Sequence, residues 1–309
     1  MSTSEPLVWL PFDASHLDPA PTGLRYEKAD PTRDDWQRPA SIDEVELYVP
    51  PYNFARGAAE LMAAMPRLRV VQTLTAGVEH IAPYVPDGVL LCNGRGIHDT
   101  STAELVLALT LASLRGIPEF VREQDREEWH QRPLPALADK RVLIVGYGAI
   151  GEAIERRLLP FEVEVVKVAR RSRDDVHGFE ELPDLVPDAD VVVLVIPLTD
   201  QTRGLVDAGF LARMKDDALL VNVARGAVVD TDALLAELTS RRIAAAIDVV
   251  DPEPLPAGHP LWKAPRLLIS PHVGGASSAM WPRAYRLVRE QVSRFAAGEP
   301  LVNQMTGDY

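Results

Sequence analysis

A single cysteine, Cys92, stands among 309 residues, so the chain cannot close an internal disulfide. No basic segment followed by a long apolar stretch opens it either; Met1 to Pro11 lacks the signal-peptide pattern. Both absences point to a reducing, cytoplasmic setting. Long apolar runs are missing too. Leu105–Leu114 and Val191–Ile196 fall well short of the roughly 20 residues a membrane-spanning helix needs, so a soluble chain without a membrane partner is expected. Positive charge is in short supply, with 32 Lys and Arg against 45 Asp and Glu and a formal net charge of −13. The overall field therefore repels nucleic acid and anionic lipid, and any anionic ligand must find a local basic pocket. There is no internal repeat and no low-complexity tract, and no metal site is expected.

What is present is ample apolar material, 47% of the residues beside 25% charged, enough for a large core and two domains of ordinary size. From Arg141 onward, short runs rich in β-branched residues recur: Val142–Val145, Glu164–Ala169, Val191–Ile196, Ala218–Val223, Ala244–Val250 and Leu267–Ser270. Helix-like segments separate most of them, and their near-continuous apolar character is that of strands covered on both faces. Six such runs predict a parallel, doubly wound sheet. A shorter series precedes it, Leu7–Leu10, Leu24–Lys28, Val45–Val49, Leu68–Thr73 and Val89–Cys92, with Phe54–Met65 as an intervening amphipathic helix, and predicts a smaller α/β domain.

A long helix is predicted from about Thr102 to Arg115, capped by Asp99, Thr100 or Ser101, with Glu104 in its first turn against the positive end of the dipole. Pro118–Asp139 is rich in proline and charge, lacks a clear period and carries Trp129; it reads as a surface arm. Ala279–Gly298 is again helical in pattern. The expected division is residues 1–99 with 280–309 as a substrate-binding domain and 100–279 as a dinucleotide-binding domain, each a Rossmann-like or flavodoxin-like parallel sheet flanked by helices, with a cleft between them.

Gly146-Tyr147-Gly148-Ala149-Ile150-Gly151 directly follows the run Val142–Val145 and opens a helix running toward Leu159. Gly146 would permit the tight turn, Gly148 would let the backbone approach a pyrophosphate, and Gly151 would allow close packing of helix on strand, with the helix N-terminus facing the anion. The alternative is an ordinary glycine-rich turn. At the end of the next strand, where an acidic residue would bind the ribose of NAD, the sequence reads Ala169-Arg170-Arg171-Ser172. Arginines there suit a 2′-phosphate and no carboxylate repels it, so NADP is favoured over NAD, the alternative being a solvated basic loop.

Three further strand ends carry chemistry-bearing side chains: Arg225 after the fourth, Glu253 after the fifth and His272 after the sixth. Strand carboxyl ends are where open α/β sheets bind ligands. Taken singly, Arg225 suits a surface position, Glu253 a loop charge between prolines and His272 a hydrogen-bonded core position. Jointly they form a cationic fork for a carboxylate, an acid–base group and the carboxylate that would stabilise its imidazolium.

At these residues and the glycine loop the sequence resembles the D-isomer-specific 2-hydroxyacid dehydrogenase family, glyoxylate/hydroxypyruvate reductases included. Val195-Ile196-Pro197-Leu198-Thr199-x-x-Thr202, Ala224-Arg225-Gly226, Asp248-Val249, His259-Pro260-Leu261-Trp262 and Pro271-His272-Val273-Gly274-Gly275 extend the likeness. It implies that Arg225 binds the substrate carboxylate and carbonyl oxygen, that His272 exchanges a proton with that oxygen, and that Glu253 pairs with His272. It further implies that Asp248 lies near the nicotinamide carboxamide, and that Pro197, Thr202, Val223, Ala224, Gly274 and Thr102 lie along the cofactor, with helix capping as the alternative for Thr102. Ala76 and Gly77, in Thr75-Ala76-Gly77-Val78-Glu79-His80, match the loop whose N–H groups grip the substrate carboxylate, with a plain strand-ending turn as the alternative; His80 matches a position outside the trio. Two departures stand out, Ala169 in place of an acid and Glu162 in place of a frequent glycine. The implied activity is NADPH-dependent reduction of a small 2-oxo acid such as glyoxylate or hydroxypyruvate. The alternatives are a phosphoglycerate dehydrogenase, many of which carry a regulatory domain not seen before Tyr309, and a non-catalytic dinucleotide-sensing protein. A homodimer through the cofactor domain is also implied. Tyr52, Asn53 and Trp281 are candidates for shaping the substrate pocket.

Overall fold

The structure is a computed structural model and describes residues 5–52 and 56–305; Asn53 and Phe54 lie outside the described residues. Two units are present, Met1–His98 with Ser278–Tyr309, and Asp99–Ser277.

The first unit is built on a five-stranded parallel sheet of β1 (Leu7–Leu10), β2 (Arg25–Lys28), β3 (Val45–Tyr48), β4 (Val70–Gln72) and β5 (Leu90–Cys92), in the order β2-β1-β3-β4-β5. The side chains of β1 explain its unbroken apolar sequence. Leu7 and Trp9 enter one core layer with Tyr48 and Val71, while Val8 and Leu10 enter the other with Leu47 and Val70. Successive residues point to opposite faces, and both faces are covered. Helix α1 (Arg56–Glu60) is followed by a 3-10 turn, Leu61–Ala64, so the later part of the helix expected over Phe54–Met65 is wound more tightly than its pattern suggests.

The second unit contains β6 (Arg141–Val145), β7 (Glu164–Val168), β8 (Val191–Leu194), β9 (Leu219–Asn222), β10 (Ala244–Ile247) and β11 (Leu267–Ile269), all parallel, in the order β11-β10-β9-β8-β6-β7. The same two-sided burial holds. Val142, Ile144, Val191 and Val193 pack on one face, and Leu143, Val145, Val192 and Leu194 on the other. Several strands stop one to three residues before their apolar runs end, because Ile196 and Val249 are buried in the turns that follow and take no part in the ladder.

Helix α2 spans Asp99–Leu114, α3 Ile117–Asp125, α4 Ala149–Leu158, α5 Leu182–Leu185, α6 Ala208–Arg213, α7 Thr231–Thr239 and α8 Met280–Ala297. Two expectations are corrected here. Asp99, Thr100 and Ser101 belong to α2 itself, which begins earlier than expected, and Asp99 in the first turn is favoured by the helix dipole. The arm Pro118–Asp139 contains α3, whose first turn takes Pro118 where no intrahelical N–H is needed. Helix α8 buries Met280, Ala284, Val288 and Val292, one residue per turn, in the first unit's core, and ends at Gly298 with φ +68°. Glu162 adopts φ +59°, so the left-handed turn is made without the glycine common in the family. No helix among the described residues is long and apolar enough to cross a membrane.

Candidate active site

All six strands of the second unit run the same way, which gathers their carboxyl ends on one edge. The chain leaves β6 for β7 on one side and then passes to β8 on the other, so β6 and β8 flank the switch point where a ligand-binding crevice opens. The glycine loop stands there. Gly146 has φ +113°, and a Cβ on it would lie 2.5 Å from the carbonyl oxygen of Val195. On Gly151 a Cβ would lie 2.4 Å from the Gly146 carbonyl oxygen. Gly148, which precedes α4, faces open space instead. Two glycines are thus fixed by packing, and the third leaves bare backbone at a helix N-terminus, as a pyrophosphate requires. Ala149 and Ile150 form the first turn of α4. The loop and its surroundings fit a dinucleotide.

Arg170, Arg171 and Ser172 follow β7 and are exposed. Their loop is tied down by pairing of Val168 with His177 and of Arg173 with Val176. Sequence reasoning passed over Arg173, whose guanidinium donates to the Tyr147 carbonyl oxygen at 2.7 Å and lies over the Tyr147 ring. Burial and the neighbouring Glu155 carboxylate, which accepts from the Tyr147 hydroxyl, push that phenol up to about 12. Tyr147 is therefore a neutral donor throughout the physiological range.

After β8, the buried Thr202 holds its own loop. Its hydroxyl donates to the Pro197 carbonyl oxygen at 2.7 Å and accepts from Thr199 N–H at 2.8 Å, so its first task is to shape the Pro197 turn. After β9, Asn222 does the same for the arginine. Its amide oxygen accepts from Ala224 N–H at 3.0 Å and its amide nitrogen donates to the Arg225 carbonyl oxygen at 3.2 Å. Val223 is half-buried and Ala224 buried at this turn. The Arg225 guanidinium donates to the Ala224 carbonyl oxygen at 2.7 Å. Gly226 has no room for a side chain, because a Cβ would sit 1.9 Å from the Val250 carbonyl oxygen. Omission of that Cβ packs the arginine turn onto the segment leading to Glu253.

His272, after β11, meets Glu253: Nδ1 donates to Oε1 at 2.5 Å, an ionised carboxylate being able only to accept. Both side chains remain partly accessible to solvent, 45% and 39%. The His272 backbone takes φ +53°, a region unfavourable to a residue with a side chain. Asp248, 3% exposed, supplies the restraint. Its carbonyl oxygen accepts from His272 N–H at 2.7 Å. Oδ1 accepts from Ser270 Oγ at 2.5 Å and Val273 N–H at 2.9 Å, and Oδ2 from Gly274 N–H at 2.8 Å. Thr102 on α2 donates to the Gly274 carbonyl oxygen at 3.3 Å, behind the same loop. Strand spacing is about 4.8 Å. The starts of the Arg225 and His272 loops are therefore about 10 Å apart across β9, β10 and β11, with the Glu253 segment between, and the glycine loop lies two to four strands away, about 10 to 19 Å. Asn222 and Ser270 were missed from sequence; the only hint was a polar residue closing each apolar run.

In the first unit, Thr75-Ala76-Gly77 follows β4. The Thr75 carbonyl oxygen accepts from Gly94 N–H at 2.7 Å, that of Ala76 from Asn93 Nδ2 at 3.0 Å, and that of Gly77 from Thr75 Oγ1 at 2.7 Å. With its carbonyls so engaged, the loop has a fixed orientation. The buried Asn93 is a further residue that sequence reasoning missed. Among the described residues no group of three or more His, Cys, Asp or Glu is placed to hold a metal ion.

Residues 107–274 match the model of the D-isomer specific 2-hydroxyacid dehydrogenase NAD-binding domain. The chain is 33% identical over 259 residues to the human protein named glyoxylate reductase/hydroxypyruvate reductase, covering 79% of each. Among solved structures, it is similar to a D-isomer specific 2-hydroxyacid dehydrogenase from Xanthobacter autotrophicus Py2 in complex with NADPH, with TM-score 0.83, 33% identity and 98% coverage of both chains. The NADPH-dependent glyoxylate/hydroxypyruvate reductase from Sinorhizobium meliloti bound to NADP matches with TM-score 0.82, 25% identity and the same 98% coverage of both. The two parallel-sheet units, the glycine loop at the switch point and the match over residues 107–274 agree: the chain belongs to the D-isomer specific 2-hydroxyacid dehydrogenase family.

Proposed function

We propose that the chain reduces small 2-oxo acids, with glyoxylate and hydroxypyruvate as reference substrates, using NADPH. The observation that carries this reading is the His272–Glu253 pair at 2.5 Å, held beside Arg225 on neighbouring strand ends. With Nδ1 committed to Glu253, the Nε2 edge of His272 is the one that gives a proton to the substrate's 2-oxo oxygen. Glu253 fixes the ring and balances the imidazolium that precedes this transfer. Arg225 presents a planar, permanently charged fork suited to a carboxylate and the adjacent carbonyl oxygen. A bound reduced nicotinamide supplies the hydride that completes the conversion to a 2-hydroxy acid.

Gly146, Gly148, Ala149, Ile150 and Gly151 would hold the pyrophosphate, with Arg170, Arg171, Ser172 and Arg173 taking the 2′-phosphate. Arg173, tied to the glycine loop through the Tyr147 carbonyl oxygen, joins the proposed set, and the loop-shaping hydrogen bonds of Asp248, Thr202 and Thr102 support their proposed places beside the cofactor. Ala76 and Gly77 are assigned to the substrate carboxylate, an assignment supported by the hydrogen bonds that engage both carbonyls within the protein. The first unit thereby serves as the substrate-binding domain. The same reading places the protein in the cytoplasm as a homodimer joined through the cofactor unit. Trp129, 94% exposed on the arm after α3, supports that interface.

The test is a nicotinamide absorbance screen crossing NADH and NADPH with glyoxylate, hydroxypyruvate, pyruvate, 3-phosphohydroxypyruvate and bulkier 2-oxo acids. NADPH oxidation with the unphosphorylated acids is expected. Silence in every combination would favour a dinucleotide-sensing protein, and activity confined to the phosphorylated acid a phosphoglycerate dehydrogenase.

A further inference from the structure

Amide side chains stand in the first unit's interior where apolar ones would fill the same space. Gln72 on β4 and Gln291 on α8 are fully buried, and Asn93, after β5, is nearly so. Gln291 shares its buried helix face with Met280, Ala284, Val288 and Val292, all apolar. An amide taken out of water is costly unless new hydrogen bonds replace those it loses. Here they do, and they run from one amide to the next. Gln291 Nε2 donates to Gln72 Oε1 at 2.6 Å and to the Val302 carbonyl oxygen at 3.0 Å, while its Oε1 accepts from Val302 N–H at 2.9 Å. Gln72 Nε2 donates to the carbonyl oxygens of Thr73 at 2.7 Å and Asn93 at 3.0 Å. Asn93 Nδ2 donates in turn to the Ala76 carbonyl oxygen at 3.0 Å.

One end of this series is the C-terminal segment, residues 301–305, which lies along β5, the last strand of the sheet. Asn93 N–H donates to the Asn303 carbonyl oxygen at 3.0 Å and Met305 N–H to that of Leu91 at 2.8 Å, with Cys92 opposite Gln304. The other end is the loop after β4. The Ala76–Gly77 peptide is trans and planar, so the Gly77 N–H points the opposite way from the Ala76 carbonyl, and the bond from Asn93 aims it. One peptide earlier, the Thr75 carbonyl oxygen accepts from Gly94 N–H at 2.7 Å and Thr73 Oγ1 at 2.8 Å, which orients the Ala76 N–H in the same manner. An apolar side chain at position 93 would fill the space but set no direction for the peptide plane.

Resting on the assignment of Ala76 and Gly77 to the substrate carboxylate, we infer that Asn93, Gln72 and Gln291 are positioning residues that carry the docking of residues 301–305 to the Gly77 N–H and so set the affinity for the 2-oxo acid. A hydrogen bond weakens steeply as its donor turns away from the acceptor. The docked segment therefore strengthens substrate binding, and by linkage a bound substrate stabilises the docked segment. Cys92, fully buried opposite Gln304, reports that state. Burial pushes its thiol up to about 11, so it stays protonated and unreactive until the segment lifts.

The experiment measures KM and kcat for the wild type's best 2-oxo acid, the Kd of NADPH by calorimetry, and the rate at which dithiobisnitrobenzoate labels Cys92, in the wild type, Asn93→Asp and Gln291→Leu. Asn93→Asp keeps the side chain's shape but turns an acceptor toward the Ala76 carbonyl oxygen. KM should rise about tenfold or more, with kcat lowered less and NADPH affinity within about twofold of wild type. Gln291 is two amides removed from the loop, yet Gln291→Leu should raise the same KM about threefold or more and speed the labelling of Cys92. In the wild type, adding the 2-oxo acid to the NADP complex, a pair with no hydride to transfer, should slow labelling about threefold or more relative to NADP alone. That comparison needs no variant, so it decides the matter where a variant fails to fold. Wild-type KM in both variants, an equal loss of NADPH affinity, or wild-type labelling unmoved by the 2-oxo acid overturns the positioning role, while NADPH oxidation keeps the reductase reading intact. Absence of NADPH oxidation with any 2-oxo acid overturns both.

Discussion

Replacement of Asp248 by alanine should disable the enzyme without touching His272 itself. The carboxylate accepts from Ser270 Oγ, Val273 N–H and Gly274 N–H at 2.5, 2.9 and 2.8 Å. Hydrogen bonds to a charged group contribute roughly 1.5–3 kcal/mol each. Ser270 and the partly exposed Val273 amide can recover water, but the Gly274 donor is buried and cannot. Loss of about 3 kcal/mol from the loop is therefore expected. That loss comes on top of the His272 φ of +53°, a conformation that costs of the order of 1–3 kcal/mol and persists only under such restraint. At about 1.4 kcal/mol per factor of ten, kcat for 2-oxo acid reduction should fall about 100-fold. Asparagine should rescue little, because its amide N–H₂ would face the Gly274 N–H, donor against donor. The assay pairs steady-state kinetics with hydrogen exchange across residues 268–278, where the variant should lose protection at Val273 and Gly274. Wild-type kcat together with wild-type protection of those two amides would refute the clamp.

Other expected outcomes concern the cofactor. Gly146→Ala places a methyl group 2.5 Å from the Val195 carbonyl oxygen in a left-handed backbone, so NADPH binding measured by calorimetry should weaken by tenfold or more. The double variant Arg170→Ala, Arg171→Ala removes the two charge-assisted partners proposed for the 2′-phosphate; the NADPH-to-NADH ratio of kcat/KM should fall about 100-fold, chiefly through NADPH. A ratio unmoved would hand the discrimination to Arg173, whose guanidinium is already tied to the glycine loop at 2.7 Å.

Much of this arrangement is legible in the sequence, and the physics says why. Val142–Val145 and Val191–Leu194 are unbroken apolar runs because alternate residues enter two different cores. The glycine spacing is legible because each position answers to a separate steric demand. Arg225, Glu253 and His272 were found as residue types at strand ends. The supports of that trio are less so: Asn222 and Ser270 go unmarked and Asp248 is read only as a neighbour of the nicotinamide, because their hydrogen bonds reach turns that only the folded sheet brings near, and polar residues at strand ends look alike in sequence. Helix α3 was hidden because Pro118 and a dense set of charges mask its pattern. The start of α2 was misplaced because Asp99, Thr100 and Ser101 have the chemistry of cap residues even when they lie inside a first turn.

His272→Ala, with turnover and cofactor affinity measured on the same preparation, bears most directly on the central claim. Loss of the proposed proton donor should lower kcat for the wild type's best 2-oxo acid by about 10²–10⁴-fold, while NADPH affinity stays within several-fold of wild type. Equal turnover in His272→Ala and wild type would contradict the account.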